Sequence, residues 1–138
     1  MDPTHSRSDK DLKVLTLLSK MAEAVPPIRS ARIAAAIVIK NDIVSFGINQ
    51  MKTHPFQAKY ARNDQAVYIH AENAAIMRAL KKVDKEELRN ATLYVARVKK
   101  PNNMWGMACP CEGCQKAIDK FGIKKVVYTE NNQEYSVL

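Results

Sequence analysis

The sequence predicts an α/β fold in three layers, α/β/α, with a mixed sheet of four to five strands that opens on a β-hairpin. Two observations point there. Two apolar runs of strand length flank a short polar turn, and the chain beyond them alternates helical and strand patterns, the order of a sheet covered by helices. The 138 residues hold no internal repeat or low-complexity stretch. That length suits one core and is short for two, so residues 1–138 read as a single domain, with 1–8 expected to be disordered.

The elements follow in order. Leu12, Leu15, Leu18, Ala22 and Val25 recur at helical spacing, with Ser8 and Asp9 as capping candidates and Pro26-Pro27 as a stop, so Asp9 to Ala24 reads as a helix. The run Arg32 to Lys40 and the run Ile43 to Gly47 are the hairpin strands, joined through Asn41-Asp42. From Ile48 to Ile69 polarity is mixed and His54-Pro55 interrupts it, which predicts a long loop of the kind that often binds ligands. Ala71 to Val83 reads as a mostly buried helix, Ala91 to Val98 as a strand, and Lys99 to Ala108 as a loop. Cys111 to Phe121 reads as a helix closed near Gly122, and Lys125 to Thr129 as a strand.

Composition narrows the setting. Lys and Arg total 22 against 14 Asp and Glu, a net charge of +8 whose positive field favours anionic partners, nucleotides or nucleic acid; a solvated helix face accounts equally well for any single lysine. No apolar run is long enough to span a membrane, and Met1 to Lys10 is polar where a signal peptide would be apolar. The three cysteines all fall between Cys109 and Cys114, a clustering that favours metal binding in a reducing compartment over a disulfide framework. The expectation is a cytoplasmic protein with no membrane partner.

The chemistry is carried by a split constellation, His70-Ala71-Glu72 and Pro110-Cys111-Glu112-Gly113-Cys114. A neutral imidazole and two thiolates give Zn²⁺ three ligands and no net charge, and a three-ligand site leaves a position for water, the catalytic arrangement. Glu72 stands two residues from a ligand, where a carboxylate can relay a proton between that water and a departing group. His70 and Cys111 both fall at expected helix starts, whose partial positive charge favours thiolates. A lone Cys-x-x-Cys also fits a redox pair, and a lone His-x-Glu arises by chance; together, with a strand between them, they favour zinc.

On these residues the sequence resembles the zinc-dependent cytidine and deoxycytidylate deaminase superfamily, with its His-x-Glu and Pro-Cys-x-x-Cys signature. Gly47-Ile48-Asn49 and Ile69-His70-Ala71-Glu72-Asn73-Ala74-Ala75-Ile76 extend the likeness, most nearly to deoxycytidylate deaminases, over roughly residues 30 to 129. The resemblance implies His70, Cys111 and Cys114 as zinc ligands and Glu72 as the proton shuttle. It also implies that Asn49 contacts the substrate sugar and the backbone around Ala71 the pyrimidine, and it suggests a homo-oligomer.

Two features depart from the family. Cys109 stands where Ser or Thr is common, and as a fourth thiolate it would close the site. Only Glu130 to Leu138 follow the last strand, too few for the parallel crossover of deoxycytidylate deaminases. An antiparallel return of Gln133 to Leu138 after Asn131-Asn132 would resemble free cytidine deaminases instead.

Further substrate contacts are expected from Lys59 and Arg62, as phosphate ligands, and from His54, each weighed against a plain solvent-facing role. Met104-Trp105-Gly106-Met107 reads as an apolar lid over the base, with Trp105 its largest member, or as a core plug. The leading function is hydrolytic deamination of a free cytosine nucleotide, dCMP to dUMP plus ammonia. Next come deamination of cytosine or adenine within single-stranded DNA or RNA, which three Phe, one Trp and five Tyr serve poorly as a stacking surface, then deamination of free cytidine or deoxycytidine. A catalytically silent zinc-binding subunit is the alternative outside enzymes.

Overall fold

The structure, a computed structural model, describes residues 9–26, 32–49, 70–100 and 102–138. Helix α1 (Asp9–Glu23) opens it. Acidic Asp9 and Asp11 stand in its first turn and Lys20 in its last, matching the helix dipole, while Leu15, Leu18 and Ala22 form its buried stripe.

Strands β1 (Arg32–Ile39) and β2 (Asp42–Ile48) make the hairpin. Its turn is Lys40-Asn41 rather than the expected Asn41-Asp42, because a two-residue turn with φ of 52° and 70° brings Asp42 opposite Ile39. A bulge at Ile37/Val38 follows, where Val38 pairs with Ile43 while Ile37 pairs with Ser45.

Next come α2 (Ala71–Ala79), a 3₁₀ helix over Lys85–Asn90, β3 (Thr92–Val98), β4 (Trp105–Gly106), α3 (Glu112–Lys120), β5 (Lys125–Thr129) and β6 (Tyr135–Val137). Helix α2 ends four residues before the expected Val83, and the 3₁₀ helix was not anticipated. There the Glu87 carboxylate accepts the Asp84 backbone N–H at 3.0 Å, a local cap that starts a fresh turn. Gly122, with φ of 73°, turns the chain out of α3 as expected.

The sheet runs β2-β1-β3-β5-β6, with β4 added beside β3. Among the described strands only β3 and β5 are parallel neighbours. The last strand, β6, returns antiparallel to β5 through a turn in which Asn132 and Gln133 both take positive φ. The sheet has six strands against the four to five expected, and β4 is the one the sequence pattern did not separate from its loop.

Strand β1 is buried on both faces, which is why it reads as an unbroken apolar run. Ala35, Ile37 and Ile39 point into a core with α2 and α3, alongside Leu93 and Val95. Ala34, Ala36 and Val38 point into a second core with α1, alongside Tyr94, Ala96 and Val98. The three layers are therefore α1, sheet, and α2 with α3, as the sequence predicts.

Small residues set the spacing on the site side. A Cβ at Gly47 would stand 2.5 Å from Ala75 N and 2.9 Å from Ala74 Cβ, so only glycine lets α2 lie this close on β2. Hydrogen bonds fasten the contact, with Ser45 Oγ donating to Ala75 O at 2.7 Å and Arg78 to Phe46 O at 2.9 Å.

Candidate metal centre and active site

His70 is the N-cap of α2 and Cys111 the N-cap of α3, each in extended backbone conformation. Neither side chain caps its own helix, so both project forward from the helix ends. Cys114 follows in the first turn of α3, fully buried. The α2 and α3 starts meet at one end of the sheet. Cys111 Sγ lies 3.5 Å and Cys114 Sγ 3.3 Å from His70 Nδ1.

These separations suit a metal. With Zn–N near 2.05 Å and Zn–S near 2.3 Å, tetrahedral angles place N and S about 3.6 Å apart. The three donor atoms all fall within 4.8 Å of one another, and among the described residues this is the one group of His, Cys, Asp or Glu donors so arranged. Cys109 does not join it, so among the described residues the donor set stands at three, the number at which a zinc site leaves a position for water.

Electrostatics favour the liganding thiolate of Cys111, while at His70 they favour the proton that a metal must displace. The Cys111 thiol is lowered to about 3, first by its hydrogen bond from Cys114, with burial opposing and His70 adding a further bond. His70 is raised, chiefly by its bond to Cys111 against the opposing effect of burial. The two shifts share the Cys111–His70 hydrogen bond, and a metal would take the place of the proton in it.

Glu72 lies in the first turn of α2 and is 5% exposed. Burial pushes its carboxyl above the usual range, with the charge of His70 pulling back. A carboxylate so placed gains affinity for a proton and stays within one helical turn of a metal donor.

The surrounding segments are held by bonds that sequence reasoning missed. Gln115 Nε2 donates to Pro110 O at 2.7 Å, bracing the approach to Cys111. The buried Thr129 hydroxyl accepts from Arg97 N at 3.0 Å and donates to Gly106 O at 2.8 Å, while Thr129 O accepts from Ala108 N at 2.9 Å. One residue thus fastens β3, β4 and the cysteine segment to the end of β5. Nothing in the local pattern marks a strand-ending Thr for that task.

A model of the cytidine and deoxycytidylate deaminase zinc-binding region matches residues 8–130. The chain belongs to that family. The donor set, deaminase fold and family together make this a zinc-binding domain with His70, Cys111 and Cys114 as the fitting site.

Solved structures of other deaminases share the fold. The dCMP deaminase of cyanophage S-TIM5 is 22% identical with a TM-score of 0.57, covering 96% of this chain and 87% of that one. A cytidine deaminase from Burkholderia pseudomallei is 23% identical with a TM-score of 0.61, covering 91% of this chain and 90% of its own. A tRNA:A34 deaminase is 20% identical with a TM-score of 0.52, covering 86% and 73%. No curated protein matches by sequence.

The remaining site expectations for this deaminase-family chain fall into three groups. Asn49 lies just past β2 and is buried; its Oδ1 accepts Ile33 N–H at 2.9 Å and its own N–H donates to Ile33 O at 3.2 Å. Ala71 is the first residue of α2 and fully buried. Both therefore stand at the end of the sheet where His70 stands.

Trp105 corrects its expectation as a lid. It pairs with Val98, so its side chain follows Val98 into the α1-side core, across the sheet from His70. It is the core plug of the two readings, because its place in β4 fixes its face.

His54, Lys59 and Arg62 lie outside the described residues. Among the described residues no helix is long and apolar enough to cross a membrane.

Proposed function

We propose that the chain catalyses hydrolytic deamination of a free cytosine nucleotide, dCMP to dUMP plus ammonia. The observation that carries this reading is the placement of Glu72, a buried carboxylate on the helix turn that His70 begins, beside three convergent metal donors. A zinc ion at such a site supplies a Lewis acid that lowers the pKa of water at its open position.

The protein's own groups do the rest. Glu72 takes a proton from the attacking water as its oxygen bonds to the ring carbon carrying the amine. It then delivers the proton to that nitrogen as the carbon–nitrogen bond breaks and ammonia leaves. Its raised pKa suits both halves of the relay. Asn49, its Oδ1 engaged by Ile33, would offer the sugar a donor, and the backbone at Ala71, where helix N–H groups lack intrahelical partners, would hold the pyrimidine. Lys59 and Arg62 would serve the phosphate and His54 the substrate.

The net charge of +8 and the three free cysteines support an anionic substrate and a cytoplasmic, reducing setting. By family resemblance the chain is expected to act as a homo-oligomer, which light scattering would test.

A second reading, deamination of the free nucleoside, is favoured by one observation, the antiparallel β6, an ending like that of cytidine deaminases. Product formation by zinc-loaded protein on deoxycytidine, dCMP, dCTP, CMP and single-stranded DNA, with Glu72→Gln as the blank, separates these readings. Preferred turnover of dCMP upholds the first; preferred turnover of deoxycytidine moves the assignment to the nucleoside; activity on the strand alone overturns both.

A further inference from the structure

We propose that Arg97 is a specificity-determining residue for the substrate's 5′-phosphate, in addition to Lys59 and Arg62, a proposal that rests on the deaminase reading above and names how its substrate is recognised. It comes from the sheet register, since nothing in the sequence sets Arg97 apart from the neighbouring basic residues.

Arg97 faces the site. Along β3, Leu93 and Val95 enter the core beneath α2 and α3, whereas Tyr94, Ala96 and Val98 enter the core beneath α1. The same alternation carries Arg97, two residues after Val95, to the α2 and α3 side. It stands near the end of β3, opposite Ile33 on β1, and Ile33 in turn is bonded to Asn49.

Asn49 and Arg97 therefore lie on one cross-strand row with Ile33 between them. At roughly 4.8 Å between strands, two steps make about 10 Å, within the reach of a long arginine side chain toward the phosphate of a nucleotide whose sugar meets Asn49.

On its other side Arg97 pairs with Gly106, and a Cβ there would stand 3.3 Å from Arg97 Cδ. The glycine leaves room for the arginine stem. From Gly106 the chain reaches the Cys111 donor in five residues, with Ala108 tied to Thr129 O on the way. Arg97 thus stands between the residue assigned to the sugar and the segment that carries the metal donors.

Among the described residues no hydrogen bond is seen to its guanidinium. Arg97 Nε is shielded from water and has no hydrogen-bond partner. Arg32 makes the contrast: its Nε is also unmatched, but its terminal nitrogens donate to Glu23 O, Lys99 O and Asn103 Oδ1, binding α1 to the β3–β4 connection. Arg32 is structural. Arg97 keeps a planar, permanently charged fork at the edge of the site, suited to bidentate contact with a phosphate.

The test compares kcat/KM for dCMP and deoxycytidine in zinc-loaded wild type, Arg97→Gln and Arg97→Lys. The expected result is a fall of at least tenfold in the dCMP to deoxycytidine ratio for Arg97→Gln, expressed in KM, with partial recovery in Arg97→Lys. An unchanged ratio, or an equal loss on both substrates, overturns the phosphate role while leaving deamination standing. If Arg97→Gln does not fold, Arg97→Lys retains the stem, and an unchanged ratio in it is overturning too. If wild type turns over neither substrate, the deaminase reading fails, and dCMP binding to zinc-loaded protein decides the rest. Tenfold weaker binding by Arg97→Gln upholds the anion site, and equal binding overturns it.

Discussion

Gly47 lies directly beneath Ala71: a Cβ at position 47 would collide with the Ala71 carbonyl oxygen and come within 2.5 Å of Ala75 N. The residue after the His70 metal donor is thus seated on a strand that only glycine makes thin enough.

Gly47→Ala is therefore expected to push the start of α2 outward. Overpacking of this kind costs about 1–3 kcal/mol, and here the obstruction is helix backbone, which cannot rotate aside. Chemical denaturation should show the loss of stability, and zinc affinity should fall with it. Unchanged zinc affinity in a destabilised variant would mean that α2 tilts without moving His70.

Glu72 has a folded pKa raised by burial, so its favourable contribution is full below the ordinary carboxylate pKa and is lost as pH rises through the folded value. Glu72→Gln removes that loss. In metal-free protein its melting temperature should gain on wild type as pH rises from about 4 toward 8, and the zinc-loaded variant should be inactive. A difference in melting temperature that does not change with pH would refute the burial argument.

The zinc stoichiometry turns on Cys109. Because Cys109 is outside the group formed by His70, Cys111 and Cys114, Cys109→Ser should keep its metal through dialysis, whereas Cys111→Ser and Cys114→Ser should lose it. Metal analysis of the three variants checks this. Loss of zinc from Cys109→Ser would revive the closed site.

On the opposite face, Tyr94 Oη donates to Asp11 Oδ1 at 2.6 Å, and Asp11 is 1% exposed. Lys125 Nζ stands 3.9 Å from the other carboxylate oxygen. Tyr94→Phe withdraws a donor from a buried carboxylate and is expected to cost about 1–3 kcal/mol in urea denaturation with little change in zinc binding. A neutral substitution would show that Asp11 finds compensation elsewhere.

The metal centre was legible because its parts are local. Glu72 is two residues from His70 and Cys114 three from Cys111, so each half of the constellation is complete within one helix start. The hairpin and both zinc helices were legible for a related reason, since apolar runs and helical spacing record burial directly. The turn was misplaced by one residue because positive φ at Lys40 has no compositional mark.

By itself, then, the sequence determined the donor types, the carboxylate beside them and the order of the main elements, all consequences of near-neighbour chemistry. The tertiary structure decided what depends on register between distant strands. A two-residue strand has no period to read, so the face taken by Trp105 awaited its pairing with Val98. The direction of β6 awaited its pairing with β5. The turning of Arg97 toward the α2 and α3 side followed from the same cause, because side-chain direction in a sheet is set by the partner strand. The exclusion of Cys109 from the donor group awaited the path of the coil between β4 and α3.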